Sequence, residues 1–249
     1  MKKLSKKIVR VSAAVLFGAA GIAGGTVAGI VKSLPEGFTV TAHTGCEATK
    51  DNSLEAIIAG KNAGADIVEF DLRFDSEGMG ILSHDKNEKD PVSLEQALKT
   101  ISEYEGLRVN VDCKTTDNLK EVYRLGEKYG ITERLFYTGI EEKDVAAAKE
   151  QTPQIPYFLN YKVDEKKKND EQYIKSLIAL VKEKGALGLN INHGQCSRKL
   201  VKMFREENLM VSVWTANSVK IMLKCISFAP DNITTRYPQT LTEIIEKFK

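Results

Sequence analysis

Cysteine is scarce in this chain and unpatterned: Cys46, Cys113, Cys196 and Cys225 form no C-x-x-C pair and no metal-finger spacing. A disulfide framework is therefore not indicated. No glycine-rich dinucleotide or phosphate loop occurs, which leaves an open nucleotide-binding sheet without support. There is no basic stripe with interleaved aromatics either, so nucleic acid is not expected as a partner. Acidic residues are missing from the first 33 positions, which hold six Lys/Arg. The formal charge of +2 misleads for that reason, because the rest of the chain carries 30 basic against 34 acidic residues.

Charge of either sign is also absent over Val11–Val31, 21 positions that follow Lys2, Lys3, Lys6, Lys7 and Arg10. This is the layout of a membrane-inserting helix whose basic end stays in the cytoplasm. Residues 1–33 are thus expected to form an N-terminal transmembrane anchor, with 34–249 as one outward-facing domain at the cell membrane. A cleaved signal helix with a secreted domain is the rival, and Thr26-Val27-Ala28 is its weak cleavage site. Gly21, Gly25 and Gly29, four apart, place small residues on one face of the segment. The remaining composition, 42% hydrophobic and 28% charged over the 249 residues, is that of an ordinary globular domain.

Beyond the anchor the chain repeats a strand-then-helix rhythm. Apolar, β-branched runs fall near 38–42, 66–72, 107–113, 135–138, 155–161, 186–191, 210–215 and 231–235. Capping pairs are expected at Asn52 with Glu55, Ser93 with Gln96 and Thr240 with Glu243. Eight such units suggest an α/β closed barrel, (β/α)8, with an open doubly wound sheet as the alternative. In these barrels reactive groups stand at the C-terminal ends of strands, where His43, Glu69, Asp71, Asp112 and Trp214 all fall.

Residues two apart on a strand share a face, so Glu69 projects with Asp71 and Asp112 with Lys114. Cys113 points the other way, into packing. With His43 and His84-Asp85, these residues suit a metal site with an acid and a base beside it. His193, at the end of another strand, is a further candidate lining residue. Asp75 and Glu77 in a Gly-containing turn, and the run Asp164–Asp170, read as solvated.

In order, these segments resemble the glycerophosphodiester phosphodiesterases over residues 39–245. The likeness rests on His43-Thr44-Gly45, Lys50-Asp51-Asn52-Ser53, Gly64-Ala65-Asp66, Glu69-Phe70-Asp71 and His84-Asp85. It continues through Asp112-Cys113-Lys114, Trp214-Thr215-Ala216-Asn217 and Asp231-Asn232-Ile233-Thr234-Thr235-Arg236-Tyr237-Pro238. The resemblance implies a TIM barrel that releases sn-glycerol 3-phosphate and an alcohol from a small or lipid-derived glycerophosphodiester. It implies one divalent cation on Glu69, Asp71 and Asp112, and all-oxygen ligands favour Ca²⁺ or Mg²⁺. His43 and His84 would share acid and base duty. Lys114, Trp214, Arg236 and Asn52 would contact substrate, Lys114 at a phosphate oxygen and Trp214 as an apolar wall.

Several positions depart from the family pattern. Thr44 stands where an Arg is usual, and Arg236 where an Asp is usual. Because the last strand of a closed barrel adjoins the first, Arg236 is expected to restore the guanidinium to the same rim. Asp51 and Asp112 each replace a Glu. Only Lys86–Asp90 separate His84-Asp85 from the approach to the next helix, where most family members carry an insertion. That shortness resembles the phospholipase-D-like sphingomyelinases, which leave a cyclic phosphate; a lyase on a lysophospholipid or sphingolipid is thus one alternative. A barrel that binds a phosphoglycan or lipid without turnover is the other.

Overall fold

The computed structural model describes residues 24–86 and 88–249. Its strands are β1 (Thr39–Ala42), β2 (Ile67–Phe74), β3 (Gly80–Leu82), β4 (Arg108–Cys113), β5 (Leu135–Ile140), β6 (Tyr157–Asn160), β7 (Gly188–Asn192), β8 (Met210–Trp214) and β9 (Asn232–Thr235). All but β3 run parallel, and β1 pairs with both β9 and β2. That double pairing closes the sheet into an eight-stranded barrel and excludes the open alternative. The expected strands are all present. β3 is the addition: it folds back antiparallel on β2, with Leu72 opposite Leu82 and Phe74 opposite Gly80.

Two apolar layers hold the barrel. Outside it, helices bury one stripe each, as Leu94, Leu98 and Ile101 of the helix Leu94–Ser102 illustrate with their i, i+4, i+7 spacing. Inside, at the start of the strands, Ile67, Phe136 and Phe158 form a separate plug, the two rings meeting edge-on at 5.7 Å between centroids. By strand alternation Ile67 shares its face with Glu69 and Asp71, and Phe158 with Asn160. The barrel is therefore apolar at its floor and polar above it.

Of the expected caps, Ser93–Gln96 is a complete capping box. At the helix Leu54–Asn62 the cap is Ser53 and not Asn52: its hydroxyl accepts from the Ala56 N–H at 3.1 Å. Thr240 lies inside the helix Pro238–Phe248 and caps nothing, because Pro238 with its preset φ opens that helix two residues earlier. All four cysteines are free and buried, Cys113 behind the face that carries Asp112 and Lys114.

Residues 1–23 lie outside the described part, and with them most of the uncharged stretch. Its far end, Gly24–Val31, forms a helix that packs on the helices Val219–Phe228 and Pro238–Phe248, with Val27 and Val31 buried. No helix among the described residues is long and apolar enough to cross a membrane.

Candidate active site

The parallel register sets Asp71 directly beside Asp112, and Asp112 beside Thr138. Glu69 lies one inward position below Asp71. The outcome is three carboxylates with one oxygen each within 4.8 Å of one another. Lys114 is the cation among them: its Nζ is 2.9 Å from Asp71 Oδ1 and also bonds Asp112. Burial alone would push the Lys114 ammonium down, but Asp112 and Asp71 outweigh it and hold it above the ordinary lysine range. One ammonium does not balance three carboxylates. Burial, then Asp71 and Asp112, push Glu69 well above the usual carboxylate range. A compact all-oxygen set with excess negative charge fits a hard divalent cation.

His43 extends beyond β1 and is half-buried. Its Nδ1 lies 2.9 Å from the Thr44 carbonyl oxygen and 3.9 Å from Glu69 Oε2. A carbonyl only accepts, so Nδ1 carries the proton and Nε2 keeps its lone pair. Burial pushes the His43 pKa down, which favours this neutral form. The Thr44 N–H donates to Glu69 Oε2 at 2.8 Å, tying the His43 loop to the carboxylate cluster.

His84 reaches the same rim through the β2–β3 hairpin. Asp75 Oδ1 accepts from the N–H groups of Glu77 and Met79, both at 2.9 Å, and shapes the turn. The Ser83 N–H donates to the Asp71 carbonyl at 3.0 Å, and Arg73 Nε donates to the His84 carbonyl at 2.9 Å. The imidazole itself is exposed, with Nδ1 3.1 Å from Asp85 Oδ1.

Arg236, on the far side of the β9–β1 seam, grips Asp51 in a fork, Nη1 to Oδ1 at 2.7 Å and Nη2 to Oδ2 at 3.1 Å. That hydrogen bonding raises the already high guanidinium pKa. Gly45, at φ +68°, makes room for the pair: a Cβ there would sit 1.8 Å from Asp51 Oδ1 and 2.6 Å from Arg236 Nη1.

These groups line one cavity of about 450 Å³ at the C-terminal end of the barrel, and Trp214 forms its far wall. His43, His84, Glu69, Asp71, Asp112, Lys114, Trp214 and Arg236 are all brought together there. Asn52 is not. It is buried beneath the rim, its Nδ2 donating to Asp71 Oδ2 at 2.9 Å and its Oδ1 accepting from the Asp71 N–H at 2.9 Å. Both ends of the amide engage Asp71, so in this structure Asn52 positions that carboxylate and does not itself line the cavity. His193 does not line the cavity either.

Asn110, Thr138, Asn160 and Asn190, which are not among the residues expected from the sequence, line the cavity between the plug and the charged rim. The Thr138 hydroxyl lies 2.6 Å from Asp112 Oδ1, and Asn190 Nδ2 donates to Asn160 Oδ1 at 3.0 Å. A signal was present: polar residues at alternate positions inside apolar runs, as in Asn110/Asp112 and Asn190/Asn192, mark an inward polar face.

A family described as the glycerophosphoryl diester phosphodiesterase family matches residues 37–109 and 87–240. Among solved structures the chain is similar to an Oleispira antarctica phosphodiesterase in complex with the product sn-glycerol-3-phosphate, at 17% identity and TM-score 0.70, covering 87% of this chain and 99% of that one. It is also similar to a glycerophosphodiester phosphodiesterase from Thermotoga maritima, at 18% identity and TM-score 0.66, covering 84% and 99%. A glycerophosphodiester phosphodiesterase from Parabacteroides distasonis is 17% identical with TM-score 0.66, covering 84% and 97%. No curated protein matches the chain by sequence.

Proposed function

The chain belongs to the glycerophosphoryl diester phosphodiesterase family, and on that footing we propose that it hydrolyses glycerophosphodiesters to sn-glycerol 3-phosphate and an alcohol with one bound divalent cation. The observation that carries this reading is the convergence of three carboxylates and two imidazoles on one cavity at the C-terminal rim. The product named for the Oleispira antarctica relative agrees with it.

Glu69, Asp71 and Asp112 would hold the cation, with Ca²⁺ or Mg²⁺ favoured by their oxygen chemistry. When bound, the ion offsets the negative charge that develops on the phosphodiester. His43 Nε2, with its lone pair free, takes the proton of the attacking glycerol hydroxyl. His84, anchored through Nδ1 at Asp85, donates from Nε2 to the leaving alkoxide. In hydrolysis of the cyclic phosphate the two exchange roles, as microscopic reversibility requires. Lys114 sits between Asp71 and Asp112, within reach of a phosphate oxygen. Arg236 supplies the guanidinium that Thr44 lacks, steadied by Asp51.

The test is turnover of glycerophosphocholine and lysophosphatidylcholine by the full chain with Ca²⁺, Mg²⁺ or chelator, beside His43→Ala and His84→Ala. The full chain is used because Val27 and Val31 belong to the packed shell. Chelator-sensitive release of open glycerol phosphate is expected. A cyclic phosphate as sole product would favour the lyase that the short 83–93 connection permits, and no cleavage under any metal would favour a binding protein. A nitrophenyl leaving group needs no proton, so it should rescue His84→Ala and not His43→Ala; the reverse would exchange the assigned roles.

The domain is further proposed to face outward from a membrane, tethered by an anchor within residues 1–33 or released by cleavage there. This rests on the basic cluster and the uncharged run in the sequence. Protease added to intact cells should remove the domain; protection from it would overturn the proposed topology.

A further inference from the structure

A second cavity, of about 510 Å³, opens beside the first and shares Asn160, Asn190 and Trp214 with it. A phosphodiester has two arms. With the phosphorus between Lys114 and the histidines, as the proposed function has it, this neighbouring cavity beside Trp214 is open to one arm. Its walls carry no aliphatic side chain. They are carboxamides, Asn160, Asn190, Asn192 and Gln195, with the aromatic faces of Trp214 and Tyr161.

The amides are oriented. Asn192 Oδ1 accepts from the Gly194 N–H at 2.9 Å, and Gln195 Oε1 accepts from the Val163 N–H at 3.2 Å. A backbone N–H can only donate, so the carbonyl of each amide must face it and the NH₂ must face away. Neither NH₂ group has a hydrogen-bond partner among the described residues. The Asn160–Asn190 pair uses one NH₂ and one carbonyl, which leaves one of each, whichever way the two amides are turned. The cavity therefore offers three uncommitted NH₂ donors and one acceptor, and the carboxylates of Glu141 and Glu165 at its edge accept as well.

We propose that this cavity is a leaving-group subsite for a polyhydroxylated alcohol, the phosphodiester arm being a cyclitol, sugar or glycerol rather than a choline or an acyl-bearing group. Hydroxyls accept from the NH₂ groups and donate to the carbonyl and carboxylates, while C–H faces lie against Trp214 and Tyr161. A quaternary ammonium has no hydrogen-bonding atom. The aromatic faces and the Glu141 and Glu165 carboxylates would attract it, but it would strand all three donors and meet the Lys162 ammonium. An acyl chain would find only two aromatic faces set among polar groups. The inference deepens the phosphodiesterase reading and rests on it for the position of the phosphorus.

The experiment compares glycerophosphoinositol with glycerophosphocholine on the full chain, by kcat/KM and by calorimetric binding to the His43→Ala chain. The inositol diester should be preferred by about tenfold or more, the range of one or two hydrogen bonds. Asn192→Asp and Gln195→Glu keep the oxygen that holds the backbone N–H and turn the free donor into an anionic acceptor. Each should lower the inositol-to-choline ratio about tenfold. Equal use of the two diesters, or a ratio that neither substitution moves in variants with unchanged melting temperature, would overturn the subsite. If neither diester is cleaved but His43→Ala still binds the inositol diester preferentially, and Asn192→Asp in that background removes the preference, the subsite stands and the phosphodiesterase reading falls.

Discussion

The two halves of the barrel rim differ in kind. β1, β2 and β4 with their loops deliver the ionisable His43, Glu69, Asp71, His84, Asp112 and Lys114, beside the neutral Thr44 and Asn110. The strands β5 to β8 deliver Thr138, Asn160, Asn190, Asn192 and Trp214, none of them charged, and the charged groups on that side, Glu141, Lys162 and Glu165, stand on the loops beyond β5 and β6. Both halves come from the same strand–helix unit, so the fold does not impose the difference. Proton transfer and charge neutralisation need groups that interact within a few ångströms at reduced dielectric, and neighbouring strands supply that spacing. Recognition of an alcohol needs directed but neutral hydrogen bonds over a wider wall. On the proposed reading, bond making belongs to the first half and substrate choice to the second.

This division is open to disproof from either side. The largest effect should come from His43→Ala, which removes the half-buried imidazole proposed as the base; kcat should fall about 10²–10⁴-fold with little change in KM, and a loss confined to KM would break the division. Asp112→Asn comes next. Ca²⁺ or Mg²⁺ at a hundred times its dissociation constant should stabilise the parent chain by about 2.7 kcal/mol in a thermal melt, and Asp112→Asn should abolish that shift. Asn52→Ala leaves the Asp71 N–H and one carboxylate oxygen without partners. A cost of about 1–3 kcal/mol is expected, read as roughly 2–4 °C per kcal/mol in melting temperature. In the neutral half, Trp214→Ala should raise KM about 3–10-fold while kcat holds within a small factor, since a wall binds ground and transition states alike. A large fall in kcat would place Trp214 with the reacting groups. Thr138→Val bridges the halves by removing the hydroxyl at Asp112 Oδ1, and should cost only about 0.5–1.5 kcal/mol in transition-state stabilisation.

Much of the first half was legible in the linear chain. Glu69-Phe70-Asp71 and Asp112-Cys113-Lys114 reveal their shared faces because strand alternation is a local property. The second half is less legible, since Asn160 and Asn190 are neutral and share no strand face with a carboxylate or lysine that would mark them. Asn52 was legible as a residue of consequence and not as what it does: its location beneath the rim depends on the loop carrying it at φ +55° towards Asp71.

What the sequence by itself determined is the succession of strands and helices, the polar alternation within them and the identity of the ionisable groups, because each is set by residues within a few positions of one another. What only the tertiary structure decided is which of these groups meet. The register of β2 against β4 sets Asp71 beside Asp112, and the β2–β3 hairpin returns His84 to the rim. Closure of β9 on β1 carries Arg236 to Asp51, 185 positions away in the chain. Those contacts follow from burying the outer faces of all eight strands at once, a condition on the whole barrel that no local stretch of sequence expresses.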